Sequence, residues 1–88
     1  MVYILDLLRD VPGITYKKMM GEYILYKFNV IFGGIYDNRF LVKNTKSLSN
    51  LDFKKVVPYP NSTPMLLIEI EDSEEIERII NLIVKDLS

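Results

Sequence analysis

The sequence predicts a two-layer α+β domain in which an antiparallel β-meander is packed by N- and C-terminal helices. Three observations predict it. Residues 14–44 are rich in β-branched and aromatic side chains and are interrupted at Gly21, Asn29 and Asp37-Asn38, as short strands joined by tight turns would be. Residues 72–87 carry isoleucines and leucines at helical spacing behind an acidic first turn. A chain of 88 residues with 49% apolar content supplies one hydrophobic core and not two, so residues 1–88 are read as a single domain.

From Val2 to Asp10 the spacing predicts a short helix, because Ile4, Leu8 and Val11 recur on one face beside Leu5 and Leu7. Pro12 and Gly13 end it. The meander follows from Ile14 to Asn44. Its clearest turn is Asp37-Asn38, since both residues tolerate positive φ and strand residues flank them. Phe28-Asn29 is a poorer two-residue turn: asparagine suits it, but phenylalanine is unusual at an exposed corner, which makes Phe28 a candidate surface residue. Gly33-Gly34, inside an apolar run, predicts a bulge or a close approach by another chain segment, with a ligand-facing surface as the alternative.

Thr45 to Asn50 is polar and suits a helical turn before Leu51 and Phe53 dock. Val56-Val57 suits a short strand or an edge. Pro58, Pro60 and Pro64 exclude regular helix, so residues 58–62 form a surface loop. Met65 to Ile70 is a compact apolar strand with a position within the sheet. In the closing helix Asp72 is the cap, with Glu75 three residues on, and Glu74 and Glu75 lie at the positive end of the dipole. Ile76, Ile79, Ile80, Ile83 and Leu87 form the buried stripe, with Glu77, Arg78, Asn81, Lys85 and Asp86 in water and Glu74 spaced to pair with Arg78.

The chain has no cysteine, histidine or tryptophan. That removes disulfides, thiolate nucleophiles, imidazole acid/base work and zinc ligation by Cys or His. There is no glycine-rich phosphate loop, nucleophile elbow or paired-carboxylate motif, so no catalytic, cofactor-binding or metal-ligating residues are expected. Met1 to Asp10 carries Asp6 and Arg9 and does not read as a secretory signal, and no apolar run reaches membrane-span length. Cytoplasmic residence without membrane association is the expectation. Net charge is −1, but nine basic and five acidic residues fall in 1–60, against two and seven in 61–88. Such a separation permits a basic and an acidic face, and equally an interleaved surface.

Two stretches are candidate sites. In Lys17-Lys18-Met19-Met20-Gly21-Glu22-Tyr23, lysines, a carboxylate and a phenol sit within seven residues and could build a polar pocket. The plain alternative is an ordinary strand in which Lys17 and Lys18 point to opposite faces and Gly21 marks a turn. Around the hairpin, Arg39 and Lys43 are four apart in a strand and share a face with Leu41, where they could hold a phosphate or carboxylate. The favoured reading pairs them with Asp37 or Glu22 at the surface. Lys46, Lys54 and Lys55 interleave with Tyr16, Tyr23, Tyr26, Tyr36 and Tyr59, as single-stranded nucleic acid would require, but without an RNP-like or helix-turn-helix signature.

The run Lys18-Met19-Met20-Gly21-Glu22-Tyr23, then Leu25-Tyr26, Val30-Ile31-Phe32 and Asp37-Asn38-Arg39-Phe40-Leu41-Val42-Lys43, resembles the N-terminal domain of TfoX, the bacterial competence regulator. The family's pattern is Lys-Met-Phe-Gly-Gly or Glu-Tyr, two short strands about a tight turn, then Asp-Asp-Arg-Leu-Tyr-Leu-Lys. Here Met20 replaces the phenylalanine, and the C-terminal domain of the longer regulators is not in the sequence. The resemblance implies the same two-layer antiparallel fold, a stand-alone domain linked to transcription regulation of competence, and no catalytic residues. Lys18, Gly21, Glu22, Tyr23, Asp37, Arg39 and Lys43 are its motif residues and possible binding positions. High apolar content with no chemistry points to a small regulatory or protein-interaction module, its partner a protein, including a second copy in a homodimer. A nucleic-acid-binding accessory to transcription, using Lys17 or Lys18, Arg39, Lys43, Lys54 and Lys55, is the alternative.

Overall fold

Left-handed backbone at three consecutive corners shapes the sheet. A computed structural model describes residues 2–87 as α1 (Val2–Leu8), β1 (Ile14–Met19), β2 (Glu22–Lys27), β3 (Val30–Tyr36), β4 (Arg39–Lys43), a 3-10 turn (Lys46–Leu48), β5 (Lys55–Val56), β6 (Met65–Leu67) and α2 (Ser73–Leu87). Met20-Gly21, Phe28-Asn29 and Asp37-Asn38 join the first four strands, and all six residues have positive φ. That is the conformation a two-residue type I′ hairpin needs, and its twist matches the twist of the strands. Phe28 takes the unfavourable first position at φ 47, where its ring lies over Gly13 and its N–H donates to the Gly13 carbonyl at 2.9 Å.

The six strands run in the order β1-β2-β3-β4-β6-β5, every pair antiparallel. β6 returns across the molecule to pair with β4 and carries the two-residue β5 on its far side. The two sheet edges are therefore β1 and β5. Between β2 and β3 the register moves from Leu25↔Gly33 to Tyr26↔Ile31, which leaves Phe32 as the extra residue of a bulge and fully buried. Gly33 meets the neighbouring backbone: a Cβ there would overlap the Leu41 carbonyl oxygen. At Gly34 a Cβ would stand 2.5 Å from the Tyr23 carbonyl oxygen and 2.8 Å from the Tyr36 ring. The expected bulge and close approach are both present.

Tyr23, Leu25, Ile35, Phe40, Val42, Leu66 and Ile68 point to the helix side of the sheet and pack with Leu8, Ile76, Ile79, Ile80 and Ile83 into one core. Ser73 Oγ donates to the Leu7 carbonyl at 3.0 Å and ties the start of α2 to the end of α1. Asp72 Oδ1 accepts from the Glu74 N–H at 3.1 Å, so Asp72 caps α2 as its sequence indicates.

Several expectations are corrected. α1 ends at Leu8 because Arg9 and Val11 N–H close back on Asp6 and Leu8 as a tightened turn. β6 is shorter than Met65–Ile70: its ladder with β4 runs from Lys43↔Met65 to Leu41↔Leu67, with one further bond from the Ile68 N–H to the Phe40 carbonyl. The edge strand is Lys55–Val56, not Val56-Val57. Arg78 pairs with Glu75, one residue closer than Glu74, and this draws Glu75 away from the reciprocal capping role. Leu87 is 43% exposed and leaves the buried stripe, because α2 runs past the core at its end.

That end is held by an ion-like clamp: the backbone N–H and Oγ of Ser47 each donate to the Asp86 carboxylate at 2.7 Å. These two hydrogen bonds hold Asp86 below the usual carboxylate range, and the Thr45 hydroxyl nearby adds to the effect although its oxygen makes no hydrogen bond of normal geometry. A carboxylate with a lowered folded-state pKa stabilises the fold above its unfolded value and loses that contribution as pH falls through the lowered one. Urea midpoints measured from neutral pH down through the carboxylate range should therefore fall more for the wild type than for Asp86→Asn, whose deficit at neutral pH closes in acid. Separately, Gly33→Ala should cost about 1–3 kcal/mol, because backbone must move to admit the methyl group. Gly21→Asn should stay within about 0.5 kcal/mol in the same denaturation, since asparagine accepts positive φ and the corner is open to water.

Candidate functional site

Strands spaced about 4.8 Å apart make a six-stranded sheet about 24 Å wide, whereas two helices packed about 8–10 Å apart shield less than that. Here α2 lies on β3 and α1 leans on α2. β1, at the end of the order, is left outside the helical layer: five of its six residues are exposed and only Ile14 touches the core. The exposed apolar side chains Tyr16, Met19 and Met20 lie along it and around its turn, Met20 at 99% exposure. Between α1 and β1 runs a groove of about 410 Å3 lined by Leu5, Leu8, Val11, Ile14 and Tyr16, with Asp6 and Arg9 ion-paired to each other in its wall.

The register separates the motif residues. Lys18 stands opposite Tyr23 on the helix side, its Nζ 5.9 Å from the ring centroid, while Tyr16 meets the same ring edge-on at 5.5 Å. Gly21 and Asp37 occupy hairpin corners. Lys17, Glu22, Arg39 and Lys43 face the other way. The polar stretch from Lys17 to Tyr23 is thus divided between the two faces, with Lys18 and Tyr23 together on the helix side and Lys17 and Glu22 on the other. Arg39 and Lys43 do share a face with Leu41, as the strand period requires, but neither forms the expected ion pair with Asp37 or Glu22, unlike Arg9 and Arg78, which pair with Asp6 and Glu75. Arg39 Nε is shielded from water and has no hydrogen-bond partner.

On that second face the Tyr36 ring folds down over Gly34, which explains why the strand needs glycine there, and Tyr59 from the proline-rich loop covers it at 6.5 Å. Tyr36 is 9% exposed. Burial pushes its phenol up, and the neighbouring Tyr59 and Glu22 push it further. Beside it a groove of about 560 Å3 includes Ile31, Lys43, Tyr59, Met65 and Leu87. Lys54 and Lys55 lie at the opposite sheet edge from Lys17 and Lys18, so the expected cations do not make one patch.

The sequence reading missed the groove, because Leu5 and Ile14 each look like ordinary core positions and only tertiary packing sets them side by side. It also missed Lys27, 6% exposed with Nζ 5.8 Å from the Phe28 ring; its stem fills the strand end beside Ile14. Among the described residues no group of three or more acidic, His or Cys side chains could hold a metal ion, and no helix is long and apolar enough to cross a membrane. No protein-family model and no curated protein matches the chain. Replacing Tyr59 with alanine should return the Tyr36 phenol toward its ordinary value of 10.0, read by following tyrosine ionisation against pH. An unchanged titration would mean that Tyr59 is not its cover.

Proposed function

We propose that the chain is a small protein-interaction module of a regulatory kind, which presents β1 as a free sheet edge to another polypeptide. The observation that carries this is the exposure of five of the six β1 residues beside an apolar groove. An uncovered strand offers a row of unpaired backbone groups for strand addition, and an adjoining pocket supplies side-chain selectivity. The likeness of residues 18–43 to the N-terminal domain of TfoX supports a regulatory setting, since its motif spans the β1–β2 hairpin and β4. A second reading, binding of nucleic acid, is favoured by Lys17, Arg39 and Lys43, which face outward on one side of the sheet without ion-pair partners among the described residues.

Capture from a native lysate, with and without nuclease, separates the two. Polypeptide retained after nuclease, and reduced about tenfold by the double change Tyr16→Thr/Met19→Thr, is the expected result. Retention that vanishes with nuclease, falls steeply with salt and is weakened by Arg39→Gln/Lys43→Gln would transfer the function to the opposite face.

A further inference from the structure

Resting on the reading of β1 as a docking edge, we infer that its occupant is an extended acidic segment, which adds as a seventh antiparallel strand. The charge of the edge carries the inference. Lys17 and Lys18 sit side by side in the middle of β1, one facing each side of the sheet, and neither has an ion-pair partner among the described residues. Lys18 keeps only the π-face of Tyr23. An added strand must place residues opposite both, and carboxylates there gain where cations lose.

A second copy of this chain fits poorly at the same edge. Twofold antiparallel pairing of β1 with its own copy gathers four lysines at the centre of the new ladder. The other edge, β5, is two residues long, Lys55–Val56, with Lys54 directly before it, so a head-to-tail arrangement again opposes lysine pairs. Lysines on edge strands guard a sheet against joining its own kind, and the same lysines select a partner of opposite sign.

The alternation of faces sets the partner's pattern. Ile14, Tyr16 and Lys18 face the helix side, where the groove opens, and Thr15, Lys17 and Met19 face away. Residues opposite Ile14 and Tyr16 therefore point toward the groove and should be apolar. Those opposite Lys17 and Lys18 are acidic. Read antiparallel, the pattern is apolar-acidic-acidic-apolar-any-apolar.

The probe is the peptide acetyl-Ser-Val-Glu-Glu-Val-Thr-Val-Ser-amide, compared with versions carrying Gln-Gln or Lys-Lys in place of Glu-Glu. Titration into the full chain should give binding about tenfold tighter for the Glu-Glu peptide than for Gln-Gln, with Lys-Lys weakest. Those amides of residues 14–19 that face away from β2 and exchange fast in the free protein should become protected from hydrogen exchange, and Leu5 and Leu8 should shift in the NMR spectrum. Lys17→Glu/Lys18→Glu, at two exposed positions, should invert the order of the peptides. Equal binding of all three with protection of β1 would overturn the acidic class and leave the docking edge standing. Failure of every peptide to protect β1 would overturn both. Protection of β1 before any peptide is added, in a protein that sediments as a dimer, would make a second copy the occupant and also overturn the inference.

Discussion

The sheet of this protein is wider than the helical layer laid on it, and the consequences reach every part of the surface. α1 has seven residues, so it is about 10 Å long, while a six-residue strand such as β1 extends about 20 Å. α2, with fifteen residues, supplies most of the cover, and its four buried isoleucines seat it over the middle of the sheet. Hydrophobic burial is strongest where both layers meet, at Leu25, Phe32, Ile35, Val42 and Ile80, and it fades toward β1. The uncovered strand is thus a geometric result of two short helices facing six strands. What makes it a candidate site is the placement of Tyr16, Met19 and Met20 there together with two lysines.

The meander reaches that shape through its corners. Type I′ turns coil adjacent strands in one sense, and glycine at 33 and 34 lets β3 approach β4 and β2 more closely than any side chain would permit. The space released above Gly34 is filled by Tyr36, which Tyr59 then covers. One loop residue therefore does on the outer face a small part of what a helix does on the inner one. Residues that look dispensable in isolation, a glycine pair and a proline-flanked tyrosine, prove to be parts of one packing unit.

Local chemistry was legible in the chain. Asp37-Asn38 marks a turn by residue type, the isoleucines of α2 mark a helix by spacing, and Gly33-Gly34 marks close approach by the lack of side chains. Phe28 was harder, since a hairpin accepted it only because Gly13 leaves room for its ring. Strand order could not be read: nothing local in Met65–Leu67 says that it lies between β4 and β5. The edge status of β1 has the same origin, because Ile-Thr-Tyr-Lys-Lys-Met alternates no differently from a strand inside a sheet. The pairing expected for Arg39 and Lys43 failed for a related reason: Asp37 turns outward at its corner, and sequence proximity did not become contact.

The most direct measurement is residue-resolved hydrogen exchange of the free protein across Ile14 to Met19. An uncovered edge has alternate amides bonded to β2 and alternate amides facing water, so fast and slow exchange should alternate along the strand while the amides of β3 and β4 are slow throughout. Uniform slow exchange at all of β1 would contradict the central claim, because it would mean that the edge is already paired.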